Sequence, residues 1–425
     1  MTESFLHPDQ IPVIEELASK ANTETIQRRA RILLLYNAGK ETREISQTVG
    51  LSLRSVQFWR REFLKRGMNI FSSIGQDQVE DQPGETVAQE VTPGKHKPAQ
   101  PEIRIPKIGK YPGVKPDDPM AEAGRKILGF HFAHMLKHEN GTRLGTDIEE
   151  LHDMRVATRR MRAAFDIFEP YFKPKVAKKH LKGLRATGRA LGSVRDLDVF
   201  MEKAEQYLEG LLEDERVGLE PLLAAWQQER STEREKMLAH LDSESYLRFK
   251  QDFTDFVSTP GTGNRSSSRT KPEPDLVRHV APILIYTNLA AVRAYEKVIT
   301  NAVIEQLHAL RIEFKKLRYT FEFFQEVLGK QSKDVIDDLK SLQDHLGDLN
   351  DANVACQLLR DFVETWEKRQ SGLSLQERQN PEPVVAYLAT KHAEQHKLTV
   401  TFPQAWSHFN RQEFRENVAL AVSAL

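Results

Sequence analysis

Apolar residues recur every three or four positions along most of this 425-residue chain. Met154, Ala157, Met161, Phe165 and Phe168 are one example, and that spacing puts all five on one side of an α-helix. Strict apolar–polar alternation, the mark of a half-buried strand, does not occur, so the pattern predicts an all-α protein. It breaks in three places. Residues 73–119 hold eight of the twenty prolines, with glycines and mixed charges between them, and predict an extended or disordered linker. Residues 258–274 are poor in apolar side chains and predict a flexible loop. A weaker break spans 369–383. The expected organisation is a small helical domain at 1–72, a Pro-rich linker at 73–112 and a large helical domain at 113–425. The large domain divides into a half at about 113–257, the loop at 258–274, and a half at about 275–425.

The two halves of the large domain resemble each other. The segment from His152 to Phe165, HDMRVATRRMRAAF, aligns without gaps on that from His308 to Phe321, HALRIEFKKLRYTF. A second pair follows in the same order: LGSVRDLDV from Leu191 and LGDLNDANV from Leu346. The offsets are 156 and 155 residues. Two collinear matches at nearly one offset predict two similar helical bundles related by pseudo-symmetry.

Charge enters the picture through these same segments. On a helix, His152, Arg155, Arg159 and Arg162 lie within about 80° of arc, opposite the apolar face. In the second copy His308, Arg311, Lys315 and Arg318 face away from Leu310, Phe314, Leu317, Phe321 and Phe324. Arg160 and Lys316 flank the stripes. A third stretch, Tyr171 to Arg195, holds eight Lys or Arg and no Asp or Glu; Lys178, Lys182, Arg185 and Arg189 share one face of it. A charged face is ordinarily just solvated surface. An ordinary one mixes signs, however, because Glu–Lys pairs four apart favour a helix by a few tenths of a kcal/mol and like charges cost as much. Three single-sign stripes carry a repulsion that a polyanionic ligand would offset. Four cations ~5–6 Å apart suit a string of phosphates better than a single phosphate. The G-x-x-x-x-G-K-[ST] phosphate loop is missing, and few aromatic residues lie on the basic faces to stack bases.

Composition sets outer limits. The chain has 61 basic and 61 acidic residues, so global charge names no partner. Its single cysteine, Cys356, excludes a disulfide framework within the chain and a Cys-based zinc cluster, and suits a reducing compartment. No apolar run approaches the ~18–20 residues of a membrane span. The opening residues predict no signal peptide, and a cytoplasmic location is expected.

The two histidine–arginine segments and the two L-G segments together resemble the CHAD family of α-helical domains with characteristic histidines, over residues 115–425. The resemblance implies two four-helix bundles around a central basic groove or pore. It also implies binding of inorganic polyphosphate and association with polyphosphate granules. By motif position it implies ligand contacts from His152, Arg155, Arg159, Arg162, His308, Arg311, Lys315 and Arg318, with Lys178, Lys182, Arg185 and Arg189 adding to them. CHAD domains often accompany a β-rich triphosphate-tunnel domain; the periodicity of these 425 residues predicts no such segment.

The N-terminal residues carry a separate pattern. A helix is predicted over Ile26–Ala38, then Thr42–Gly50, a turn at Leu51–Leu53 and a last helix over Arg54–Lys65, with Ser52 as its N-cap. Ile45, Val49, Val56 and Trp59 would form the core. The unit is similar to the helix-turn-helix units of insertion-sequence transposases and their regulator relatives. Its net charge over residues 1–72 is +3. If the last helix entered a major groove, Arg54, Ser55, Gln57 and Arg61 would meet bases or phosphates and couple the chain to DNA or to the nucleoid.

Other constellations carry weaker expectations. His131, His134 and His138 share a helical face, but without a nearby cysteine or an H-E-x-x-H motif they predict a partly charged surface rather than a metal. His152 and His308 sit beside arginines that disfavour their protonation, which suits hydrogen bonding to phosphate or to a neighbouring helix better than acid–base catalysis. Asp196 and Asp351, which follow the L-G motifs, are expected to pair with the arginine stripes, with magnesium binding beside a phosphate chain as the weaker alternative. Cys356 is expected to be buried and inert. No catalytic residue, metal or cofactor is assigned. The expected function is non-enzymatic polyphosphate binding. The alternatives are a DNA-binding regulator with a general polyanion surface and a metal-dependent polyphosphate or triphosphate hydrolase, the latter lacking a compact acidic cluster for two metals.

Overall fold

The computed structural model describes residues 5–20, 24–49, 56–57, 59–60, 63–64, 67–74, 109–211, 216–265, 275–374 and 376–425. They fall in two compact units, Met1–Pro101 and Glu102–Leu425. Most of the predicted linker, residues 75–108, lies outside the described residues. Regular structure among the described residues is helical, and strand-type pairing is limited to two isolated bridges, Pro119 with Leu276 and Phe172 with Asn264.

In the first unit, α1 spans Ile11–Lys20, α2 spans Glu24–Asn37 and α3 spans Thr42–Val49; a 3-10 turn follows at Gly67–Ile74. Gly39, at φ 73°, ends α2 where a side chain would be strained, and Lys40 N–H closes back onto Leu35 C=O at 3.0 Å. Ile14, Ile32, Leu33, Ile45, Val56 and Trp59 form the core, with Val49, Leu35 and Tyr36 packed against it half-buried. Two features have no counterpart in the sequence patterns above: α1, and the buried Arg29. The Arg29 guanidinium lies 3.7 Å from the centre of the Trp59 ring and donates to Ile70 C=O at 3.1 Å.

The second unit contains α4 (Met120–Leu144), α5 (Ile148–Phe168), α6 (Pro174–Glu209), α7 (Glu220–Asp242) and α8 (Glu244–Ser258) before the predicted loop. After it come α9 (Val277–Arg293), α10 (Ile304–Phe324), α11 (Ser332–Gln370), α12 (Glu382–Phe409) and α13 (Gln412–Val422). Gly145, at φ 66°, stops α4, and the Asp147 side chain starts α5 by accepting from Glu149 N–H at 2.9 Å. Pro174, whose missing N–H costs nothing in a first turn, opens α6. Each half is a chain of neighbours: α4 on α5, α5 on α6, α6 on α7, with α8 against α4, α6 and α7; then α9 on α10, α10 on α11, and α12 and α13 on α11.

The halves meet where α5 packs on α10 and α4 on α9. They share one apolar core, which runs from Phe132 and Phe165 through Phe314 and Phe321. Phe168 and Phe324, equivalent residues of the repeat, touch edge to face with ring centres 5.8 Å apart. The two longest helices, α6 with 36 residues and α11 with 39, reach beyond this core. Their far ends build a second one with α7 and α12 around Phe200, Trp226, Leu359, Trp366 and Tyr387. The first part of the predicted loop is fastened: Lys173 N–H donates to Gly263 C=O at 2.7 Å and Arg265 N–H to Tyr171 C=O at 2.9 Å. Residues 266–274 lie outside the described residues. Cys356 is buried on α11, and burial pushes its thiol pKa up. No described helix is long and apolar enough to cross a membrane.

Candidate anion-binding site

Burying Met154, Ala157, Met161, Phe165 and Phe168 turns the opposite side of α5 outward. His152, Arg155 and Arg159 are half-buried there and Arg162 is exposed. In α10, the burial of Leu310, Phe314, Leu317, Phe321 and Phe324 does the same for His308, which is exposed, and for Arg311 and Lys315, which are half-buried. Because α5 packs on α10, the two stripes fall into one electrostatic neighbourhood. Burial, followed by Arg311, Arg159, Arg155 and Arg318, pushes the Lys315 amine down from its ordinary 10.5 to about 7. Burial also lowers the Arg311 pKa; Asp351 opposes this, and Arg159 and Arg155 add to it. Among the described residues, the Nε atoms of both Arg159 and Arg311 are buried without a hydrogen-bond partner, as is the Tyr319 hydroxyl.

Other cations of the stripes already have protein partners. Arg155 Nη2 donates to Asp196 Oδ1 at 2.9 Å, the pairing expected for that acid. Asp351, expected to pair with a stripe arginine, instead receives Lys203 of α6 at 3.5 Å. Arg318 differs from the expectation of an outward cation: it is 8% exposed. Its Nε donates to Gln343 Oε1 at 2.8 Å and its Nη1 to Glu322 Oε1 at 2.5 Å, and its guanidinium lies over the Tyr319 ring. The same Glu322 takes Arg160 from α5 at 3.3 Å. Arg160 and Arg318 therefore share a carboxylate that joins α5 to α10. Lys316 pairs with Glu313 at 2.8 Å on the surface. His308 Nδ1 donates to Asn350 Oδ1 at 3.0 Å, which fixes the ring toward the L-G segment of α11.

The α6 stripe is divided. Lys178, Lys182, Arg185 and Arg189 are all exposed, as the spacing predicts. Arg185 belongs with the main cluster: with Arg162 and Lys316 it acts on Asp166, whose pKa burial nevertheless raises. Lys182 lines a separate cleft of about 450 Å³ between α6, α7 and α8, with His180, Thr187, His240, Tyr246 and Phe249. Arg189 acts on His240 at the same end. The sequence placed four cations on one face correctly, but that face is wide enough to serve two places.

The three histidines of α4 do not converge. His131 is buried between Phe130 and Phe323, and burial, then Arg160, hold its pKa down to about 3. His138 Nδ1 lies 2.8 Å from Glu150. Among the described residues no three His, Cys, Asp or Glu side chains gather in a way that would hold a metal ion.

In the first unit Gln57 is exposed, whereas Arg54, Ser55 and Arg61, like the predicted cap Ser52, lie outside the described residues. Gln57 shares a shallow depression with Lys40, Arg43 and Arg60. Arg60 was missed by the sequence patterns; its guanidinium lies 5.2 Å from the Tyr36 ring centre, a contact between residues too far apart in the chain for a helix period to suggest.

Comparison with known proteins agrees with this architecture. A model of the Homeodomain-like domain matches residues 23–69. The crystal structure of the CHAD domain from the plant Ricinus communis is similar in fold over 75% of this chain and 97% of its own, at 21% identity and a TM-score of 0.51. PptA from Streptomyces chartreusis aligns over 68% of this chain and 100% of its own, at 15% identity and a TM-score of 0.49. No curated protein matches the chain. The model of the CHAD domain matches residues 126–360, more than half of the sequence and all of both motif pairs, and the chain belongs to the CHAD domain family.

Proposed function

We propose that this chain binds inorganic polyphosphate without transforming it, through the cationic surface where α5 meets α10. One observation carries the reading: Arg159 and Arg311, from the two copies of the motif, both keep a buried Nε without a partner, and both oppose the charge of Lys315. A buried donor without an acceptor costs about 1–3 kcal/mol, and more when charged. A chain of phosphates supplies closely spaced acceptors to several such donors at once. Arg155, Arg162 and Arg185 extend the surface on the α5 and α6 sides, and each motif stripe begins at a histidine, His152 or His308. Arg160, Arg318 and Lys316, paired with Glu322 and Glu313, shape it more than they contact the ligand. Lys178, Lys182 and Arg189 would meet only a chain long enough to run on along α6.

The match at residues 23–69, with Lys40, Arg43, Gln57 and Arg60 exposed together, favours DNA as a second ligand, bound by the first unit. A chain with both activities would associate with polyphosphate granules or with the nucleoid, and its domain limits would follow 1–72, 73–112 and 113–425.

The test is a competition experiment on the full chain. Labelled long-chain polyphosphate is titrated across a salt series, because polyanion affinity has meaning only with the salt stated. Excess duplex DNA is then added. Retention of polyphosphate supports a dedicated phosphate-chain site. Ready displacement in the same experiment, persisting when Arg60 and Gln57 are changed to alanine, would make the surface a general polyanion binder and end the proposal. Phosphate release on adding magnesium or manganese would end the claim that the chain is left intact.

A further inference from the structure

The cleft between α6, α7 and α8 stands apart from the surface where α5 meets α10 and has a chemistry of its own. Its volume is about 450 Å³, room for a molecule of two fused rings. Part of its lining is aromatic. Phe249 and Tyr246 of α8 and His240 of α7 follow one another, with ring centres 6.2 Å and 5.4 Å apart. On the α6 side the lining is small: Gly183 and Ala186, three residues apart, share one helical face. Only glycine fits the first of these positions, because a Cβ there would overlap the Phe249 ring.

The polar groups of the lining are nearly all engaged. Tyr246 O–H donates to Glu139 Oε2 at 2.9 Å. Thr187 O–H donates to Gly183 C=O at 3.0 Å, with His240 Nε2 3.2 Å away. Lys179 pairs with Asp252 at 2.7 Å, and Arg248 with Glu244 at 2.6 Å. Burial, then Arg189, lowers the His240 pKa, and burial, then Lys179, holds that of His180 down to about 4. Both rings are therefore largely uncharged at neutral pH. Lys182 differs: its side chain is exposed at the cleft and has no hydrogen-bond or ion-pair partner among the described residues.

We propose that this cleft binds a small planar aromatic carboxylate, with its rings against Phe249 and Tyr246 and its carboxylate on Lys182. Aromatic side chains favour a flat ring through offset and edge contacts. The small residues of α6 leave the space that such a ring needs. One unengaged ammonium matches one negative charge, whereas a dianion would have to draw Lys179 or Arg248 away from its acid. The site goes beyond the polyphosphate reading and does not depend on it.

The experiment titrates the full chain with naphthalene carboxylate by calorimetry. Two comparison ligands are run in parallel: the uncharged naphthylmethanol, and nonanoate, which is anionic but flexible. At ordinary efficiency for a ligand of about thirteen heavy atoms, the Kd of the aromatic carboxylate is expected at about 0.1–1 mM. Each comparison ligand should bind about threefold to tenfold more weakly. Lys182→Ala should close the gap between the carboxylate and the alcohol. Ala186→Trp, which fills the cleft with an indole, should weaken the carboxylate by about tenfold or more and leave polyphosphate affinity within about twofold. No binding up to about 10 mM overturns the proposal. So does an affinity unchanged by both substitutions, which places the ligand elsewhere. Equal affinity for the alcohol overturns the role of Lys182, and equal affinity for nonanoate overturns the preference for a planar ring.

Discussion

α5 and α10 carry one motif on equivalent faces and treat its charges differently. In α5, Arg155 reaches Asp196 and Arg162 stands in solvent. In α10, the equivalent Arg311 lacks a direct acid partner among the described contacts, and the equivalent of Arg162, Arg318, is withdrawn between Gln343 and Glu322. Between them α5 has Arg159 where α10 has Lys315. A guanidinium stays charged in any protein environment, but a crowded amine does not. The first copy thus offers fixed charge and the second adjustable charge. The neighbouring helices differ at the equivalent position: three residues before each L-G pair, α6 has Gly188 and α11 has Gln343, and only the glutamine can hold an arginine fork.

The largest effect should come from removing what the copies have in common. Arg159→Glu with Arg311→Glu replaces the two unpartnered donors by carboxylates. Each lost charge-assisted contact is worth about 1.5–3 kcal/mol, so polyphosphate affinity should fall about a hundredfold or more. Helix content by circular dichroism should hold, since neither side chain supports the core. Affinity within threefold of the parent would place the ligand elsewhere.

Glu322→Gln attacks what is special to the second copy. This carboxylate neutralises both Arg318 and Arg160, and its side chain is 15% exposed against 10% for Arg318. Its loss should destabilise the fold by about 2 kcal/mol in chemical denaturation, because a buried guanidinium loses its counter-charge. Polyphosphate should bind several-fold more tightly, because two cations become free to meet it. Weaker binding with intact stability would show that Glu322 positions the ligand surface instead of competing with it.

Lys315→Arg makes the two stripes alike, and its effect is read in pH dependence. With its folded pKa near 7 against an ordinary 10.5, Lys315 binds fewer protons folded than unfolded across that interval. Folding stability therefore rises with pH through the window, and the penalty is fully present below it. Polyphosphate raises the pKa again by supplying negative charge, so binding takes up a proton and affinity falls as pH climbs above about 7. The arginine variant should bind with a nearly flat profile between about pH 6.5 and 9. Lys315→Met should stabilise the free protein near pH 6 and change it little near pH 10. Parallel pH profiles for the parent and the arginine variant would mean that Lys315 titrates normally.

Much of this was legible from one chain. The helical period set α5 and α10 and sorted their core positions from their charged ones, because a 3.6-residue repeat fixes which side chains share a face. The duplicated motifs located both stripes. What the sequence could not carry was contact between elements far apart in the chain. The withdrawal of Arg318 depends on Gln343 and Glu322, and the division of the α6 stripe depends on where α8 packs. The pairing of Asp351 with Lys203 in place of Arg311 likewise needs the approach of α11 to α6. Periodicity says which way a residue points along its own helix, not what stands opposite.

The smallest expected effect tests whether that opposite residue alone makes the copies differ. A Cβ on Gly188 would lie 3.6 Å from Thr158 Cγ2 and 3.8 Å from Arg162 Nη1, ordinary contact distances, so α6 has room for a side chain there. Gly188→Gln supplies in the first copy what Gln343 supplies in the second. Replacing a glycine inside a helix should stabilise the fold by about 0.5–1 kcal/mol. The new amide oxygen should draw Arg162 inward as Gln343 draws Arg318, and polyphosphate affinity should drop by about twofold to fivefold through the loss of one exposed cation. The counter-variant Gln343→Gly should release Arg318 and move affinity the other way. If both substitutions leave affinity unchanged while stability shifts as expected, the glutamine is not what separates the copies. Glu322, longer by one methylene than its first-copy counterpart Asp166, then remains as the cause, and its carboxylate reach becomes the quantity to vary.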